Sequence, residues 1–75
     1  MPRERTNDER CETAFRVTLV YAQYAGDPED TESNIIDLMA DLLHLCDQYG
    51  LEQDYVERCA RRHYNAEKHK ESLSA

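Results

Sequence analysis

Nothing between residues 29 and 49 breaks a helix, and that uninterrupted stretch is apolar over more than half of its girth. Ile35, Leu38, Met39, Leu42, Leu45, Cys46 and Tyr49 form one broad stripe, and Ile36, Ala40 and Leu43 widen it. At about 100° of turn per residue these positions cover more than half the circumference. A surface helix usually needs only about 100° of apolar arc. A helix this apolar must be clasped by neighbours on both sides or covered in part by a second subunit. The chain is 75 residues long, which limits it to one domain and a thin core.

The punctuation divides the chain into three segments. Gly26, Pro28 and Gly50 are its only internal glycines and prolines, Pro2 lying at the start. In the first segment Ala14, Val17, Tyr21 and Tyr24 follow a helical spacing, with Phe15, Leu19 and Ala22 in a row beside them. The same letters also alternate as a strand would, in "FRVTLVY". A lone strand leaves its backbone groups without partners, so helix is the expectation. Asp27 can cap a second helix with Pro28 in its first position, the start falling at Pro28 or Thr31. Gly50 suits the left-handed residue that ends it, with Leu51 folding back near Cys46. Asp54 and Glu57 form a capping pattern for a third helix whose inward face is Tyr55, Val56, Cys59, Ala60 and His63. The expected fold is all-α, with helices near 8–24, 28–49 and 53–70 and frayed termini. It is a small three-helix bundle, or a helical hairpin with a packed first helix, as a monomer or a dimer.

Charge narrows the partners. One third of the residues are charged and the net charge is −7, which argues against direct binding to nucleic acid or an anionic membrane. An acidic surface can instead engage a basic one and compete there with nucleic acid. The opening "MPRERTNDER" has no apolar stretch after its charges, and no run approaches the roughly 20 apolar residues of a membrane span. Cys11, Cys46 and Cys59 include no C-x-x-C pair. Three reduced thiols in a cytoplasmic protein are the simplest account. All three stand at core-like positions, where a thiol is a poor nucleophile. No Gly-rich phosphate loop and no nucleophile elbow occur. No catalytic residue is assigned, and no cofactor is required.

The narrow polar side of the second helix holds Asp37, Asp41, His44 and Gln48 on one line. His63 and Glu67 are four apart on the third. If Asp37, Asp41, His44, His63 and Glu67 converged, they would suit manganese, magnesium, zinc or iron, as facing helices of bundles do. The ion would then lower the pKa of bound water for hydrolysis. The plainer expectation is a solvated strip, or one salt-bridged to Arg58, Arg61 and Arg62. The basic patch "RCARRHY" is too small for a nucleic-acid surface.

The stretch "DLMADLLHLCDQYGLEQDYVERCARRHYNAE", residues 37 to 67, resembles a group of small proteins found in bacteriophages, plasmids and bacterial genomes. Their shared pattern is D-L-x-x-D-L-x-H-x-x-D-x-x-G-L-D-F, continuing to A-x-x-H-Y-x-x-E. Asp37, Asp41, His44, Asp47, His63, Tyr64 and Glu67 fall on it, while Glu52 and Gln53 replace the usual Asp and Phe. That resemblance implies a helical fold and a mobile-element origin, and supplies no activity. A fainter similarity is to the MazG-like nucleotide pyrophosphohydrolases, whose acidic pairs hold magnesium. The upstream E-x-x-E those enzymes need is not reproduced in "DPEDTESN".

Two functions follow as expectations. The first is a phage or mobile-element accessory protein that binds a host protein, such as an anti-CRISPR-like inhibitor of a defence complex. It would act in the host cytoplasm through Asp27, Glu29, Asp30, Asp37 and Asp41. The alternative is a metal-dependent hydrolase, or a metal-binding dimer, using the His and carboxylate set.

Overall fold

A computed structural model describes residues 3–25 and 30–74 of the chain. Three α-helices account for nearly all of these: α1 (Asn7–Tyr24), α2 (Thr31–Gln48) and α3 (Gln53–Ser74). The first segment is therefore helix and not strand. No strand occurs among the described residues, and the all-α expectation holds.

Each start has a local cause. Thr6 caps α1: its hydroxyl accepts from the Glu9 N–H at 3.1 Å, and Glu9 Oε1 accepts from the Thr6 N–H at 2.9 Å. This reciprocal box satisfies two orphan donors of the first turn and starts α1 at Asn7. Arg3 holds the Glu9 carboxylate in a two-pronged pair at 2.7 and 2.6 Å. Together these partners, Arg3 foremost, bring the Glu9 pKa down to about 2. Asp30 caps α2, accepting from the Ser33 N–H at 3.0 Å and the Ser33 hydroxyl at 2.7 Å. Of the two expected starts for α2, Thr31 is the one observed. Asp27, Pro28 and Glu29 lie outside the described residues. In α3 Asp54 lies inside the first turn rather than ahead of it.

The end of α2 is set by Gly50, at φ 69°. The Leu51 N–H donates to the Cys46 carbonyl at 2.8 Å, and the Gly50 N–H to the Asp47 carbonyl at 3.2 Å. These two bonds close a Schellman motif. Gln53 Nε2 donates to Asp47 Oδ1 at 2.7 Å and ties the start of α3 to this turn.

The helices do not run as an aligned up–down–up stack. Such a stack would set the start of α1 beside the start of α3. Instead α1 begins beside the far part of α3. Asn7 Nδ2 donates to the Glu67 carbonyl at 3.2 Å, and Arg10 Nε pairs with Glu67 Oε2 at 3.1 Å. Lys70 pairs with Glu4 at the same junction, and Arg10 also donates to the Arg5 carbonyl and to Asn7 Oδ1. The most extensive contact is between α1 and α2.

This arrangement encloses little. Among the described residues only Thr18, Ala22, Asn34 and Cys46 are buried. The Thr18 hydroxyl donates to the Ala14 carbonyl at 2.8 Å, which meets its need for a partner. The expected inward face of α3 is only partly inward: Val56 and Cys59 are half-buried, whereas Tyr55, Ala60 and His63 are exposed. Cys11 is exposed as well, which corrects its core-like placement, and all three cysteines are free thiols.

Candidate functional site

Charge is distributed very unevenly along the chain. Ten of the sixteen acids and none of the nine Lys and Arg residues lie between Val17 and Glu57. The described residues of this stretch include the end of α1, all of α2 and the start of α3. The cations gather where α1 begins and along α3. Arg10 is paired there with Glu4 and Glu67, Lys68 with Glu71, and Lys70 with Glu4, which precedes α1. Among the described residues no Lys or Arg is paired with an acid of α2.

The polar row of α2 is the ridge of this acidic region. Asp30, Asp37, Asp41, His44 and Gln48 are all exposed. Asp41 is tied to the neighbouring helix: the Tyr21 hydroxyl on α1 donates to Asp41 Oδ2 at 2.6 Å. That hydrogen bond, with burial and the Asp41 and Asp37 charges behind it, pushes the Tyr21 pKa up to about 12. Asp30 sits at the head of the ridge, its carboxyl held below the ordinary value by the bonds from Ser33. The expected salt bridges from this row to Arg58, Arg61 and Arg62 are not formed among the described residues. The Arg61 guanidinium lies 5.5 Å from the centre of the Tyr64 ring instead.

The five candidate metal ligands are not brought together. Asp41 is tied to α1 at Tyr21, and Glu67 is tied to α1 at Arg10. Those two positions are eleven residues apart on one helix, or about 16 Å along its axis. A single ion needs its ligands within about 2–2.6 Å. His44 and His63 are exposed. Among the described residues no group of three or more His, Cys, Asp and Glu side chains is placed to hold a metal ion. The geometry thus offers nothing that favours the hydrolase over a binding role.

One open groove lies between α2 and α3, about 690 Å³ in volume, lined by Met39, Ala60 and Tyr64 with Arg58, Arg61, Asp54 and Glu57. Its apolar floor and mixed charged rim supply no nucleophile–base pair. No helix among the described residues is long and apolar enough to cross a membrane.

Two features of this region escaped the residue spacings. The bond from Tyr21 to Asp41 spans twenty positions and two helices, and no local pattern announces it. The absence of any cation across Val17–Glu57 was legible as a simple charge count along the chain. Comparison with known protein families, with known proteins and with solved structures finds no match to the chain.

Proposed function

We propose that the protein acts by binding another protein, and that the acidic ridge of α2 is the surface it uses. The observation that carries this reading is the run of ten acids without a Lys or Arg between Val17 and Glu57, of which Asp30, Asp37 and Asp41 share one exposed line of α2 and its cap. Like charges held together on an ordered surface repel one another and raise the potential around them. Such a surface attracts a basic patch on a partner and speeds the encounter. Proteins that grip nucleic acid carry basic patches of this kind. The proposed target is therefore a basic, nucleic-acid-binding surface of a host complex, which the chain would occupy in place of the nucleic acid. The sharpest version is an accessory protein of a phage or other mobile element that inhibits a host defence complex in the cytoplasm, in the manner of an anti-CRISPR protein. Asp30 and Asp37 are its exposed contact residues, Asp41 contributes from a position fixed by Tyr21, and Asp27 and Glu29 extend the acidic run.

The test is capture of host proteins on the immobilised chain at low salt, followed by elution with rising salt. A partner should be recovered that binds DNA or RNA, and adding the chain should displace that nucleic acid. Asp37→Lys, an exposed change, should slow association about tenfold or more. Recovery of nothing at low salt, or of a partner whose binding ignores both salt and Asp37→Lys, would count decisively against the proposal.

A further inference from the structure

The apolar side of α2 raises a separate question, because the helices around it bury Cys46 but leave most of it uncovered. On the line that carries the buried Cys46, Ile35, Met39 and Leu42 of α2 and its C-cap residue Tyr49 stand at i, i+4, i+7 and i+14 and are exposed. Their exposures are 45%, 59%, 49% and 72%. On α1, Phe15 and Leu19 are four apart and exposed to 51% and 42%. A solvated core helix shows its polar side to water; α2 shows its apolar side as well.

The excess can be measured. The chain exposes 6652 Å², whereas a compact monomer of 8.8 kDa exposes about 4,800 Å². The surplus is about 1,900 Å². The radius of gyration agrees, at 14.4 Å against about 11 Å for a compact chain of this length. Permanent dimers bury about 2,000–5,000 Å² in total, counting both partners. If each of two chains covered only half of its surplus, the total would already approach the lower end of that range.

We infer that this face is an interface for a second copy of the same chain, joined stripe to stripe. Three observations select a second copy over another protein. From Ile35 to Tyr49 the stripe holds no charged residue, Glu32 lying one turn before it, so two like-charged chains can meet along that length without like charges opposed on it. The surface is needed for a stable fold and not only for an encounter, since among the described residues just two apolar ones, Ala22 and Cys46, are buried. A partner needed for folding must be present wherever the chain is made, and another copy always is. An isologous pairing also needs only one patch, complementary to itself. This inference stands apart from the proposed acidic ridge, which lies on the other side of α2, and either can fail without the other.

The experiment is sedimentation and light scattering of the full chain across a hundredfold range of concentration, with thermal melts at each point. A dimer should be found at micromolar concentration. Its melting midpoint should rise by about 3–6 °C for each tenfold increase in concentration, because association is coupled to folding. Leu42→Glu should abolish the dimer, while Asp37→Lys should leave it intact. Should Leu42→Glu fail to fold, the concentration dependence of the unaltered chain still decides the matter. A monomer with a concentration-independent midpoint would overturn the inference and assign the stripe to a different partner. An assembly larger than two would overturn it as well.

Discussion

Tyr21 shows how a single hydrogen bond joins α1 to the acidic ridge. Its hydroxyl can donate to Asp41 only while protonated, so the fold favours the protonated form and raises the pKa from 10.0 to about 12. A group whose pKa is raised by folding contributes stability below its unfolded value and loses it as the pH climbs through the folded one. The contribution of Tyr21 is thus complete below pH 10 and disappears towards pH 12. Tyr21→Phe removes it at every pH. Comparing the two proteins isolates the contribution of Tyr21. Urea midpoints at about pH 9 and about pH 11.5 should fall more steeply for the unaltered chain than for Tyr21→Phe. Parallel losses would show that the bond does not form in solution. The bond was not legible in the sequence, because twenty residues and two helices separate its ends. Asp41 could be placed on the polar row from spacing alone, whereas its partner depended on the angle at which α1 crosses α2.

At the level of elements, local chemistry was readable and boundaries were nearly so. Gly50 and Leu51 ended α2 as their residue types require, since every bond of that turn lies within six residues. A Cβ added at Gly50 would meet nothing within 4 Å, so the whole penalty of a side chain there comes from the left-handed backbone. Gly50→Ala should cost about 1–2 kcal/mol, lowering the midpoint by roughly 4–8 °C per kcal/mol. Gly50→Asn should cost less, since Asn tolerates that conformation better. Equal melts for all three proteins would refute the account. The start of α1 at Asn7, expected near residue 8, is set by the Thr6 and Glu9 capping box, a pattern in the sequence that the spacing of apolar residues passes over. The helix-or-strand choice over Phe15, Val17, Leu19 and Tyr21 turned on the lack of any strand to pair with. The capping role expected of Asp54 failed because α3 starts at Gln53, which Asp47 reaches across the turn.

The whole molecule was the least legible scale. The width of the apolar arc on α2 implied covering from both sides, and the structure supplies only part of that. Periodicity says which side chains share a face; it does not give the angle at which helices cross, and here that angle leaves the stripe half open. For the same reason the spacing that lined up Asp37, Asp41 and His44 could not bring His63 and Glu67 to them. A metal held at a hundred times its dissociation constant would stabilise the chain by about 2.7 kcal/mol, or roughly ten degrees or more for a domain of this size. Melts with EDTA and then with excess manganese, magnesium or zinc should instead agree within about a degree. A ten-degree rise with one metal, lost in Asp41→Ala, would reverse that assignment. The two sides of α2 have one more consequence. Asp37 follows Ile35 by two positions and His44 follows Leu42 by two, so ridge and stripe are about 200° apart around the helix. Two copies joined along their stripes would turn their ridges outward, in opposite directions. Such a pair would be bivalent. On a target that repeats its basic surface at a matching distance, the second attachment would be intramolecular and governed by effective concentration. Avidity would then separate repeated assemblies from single proteins of the same charge.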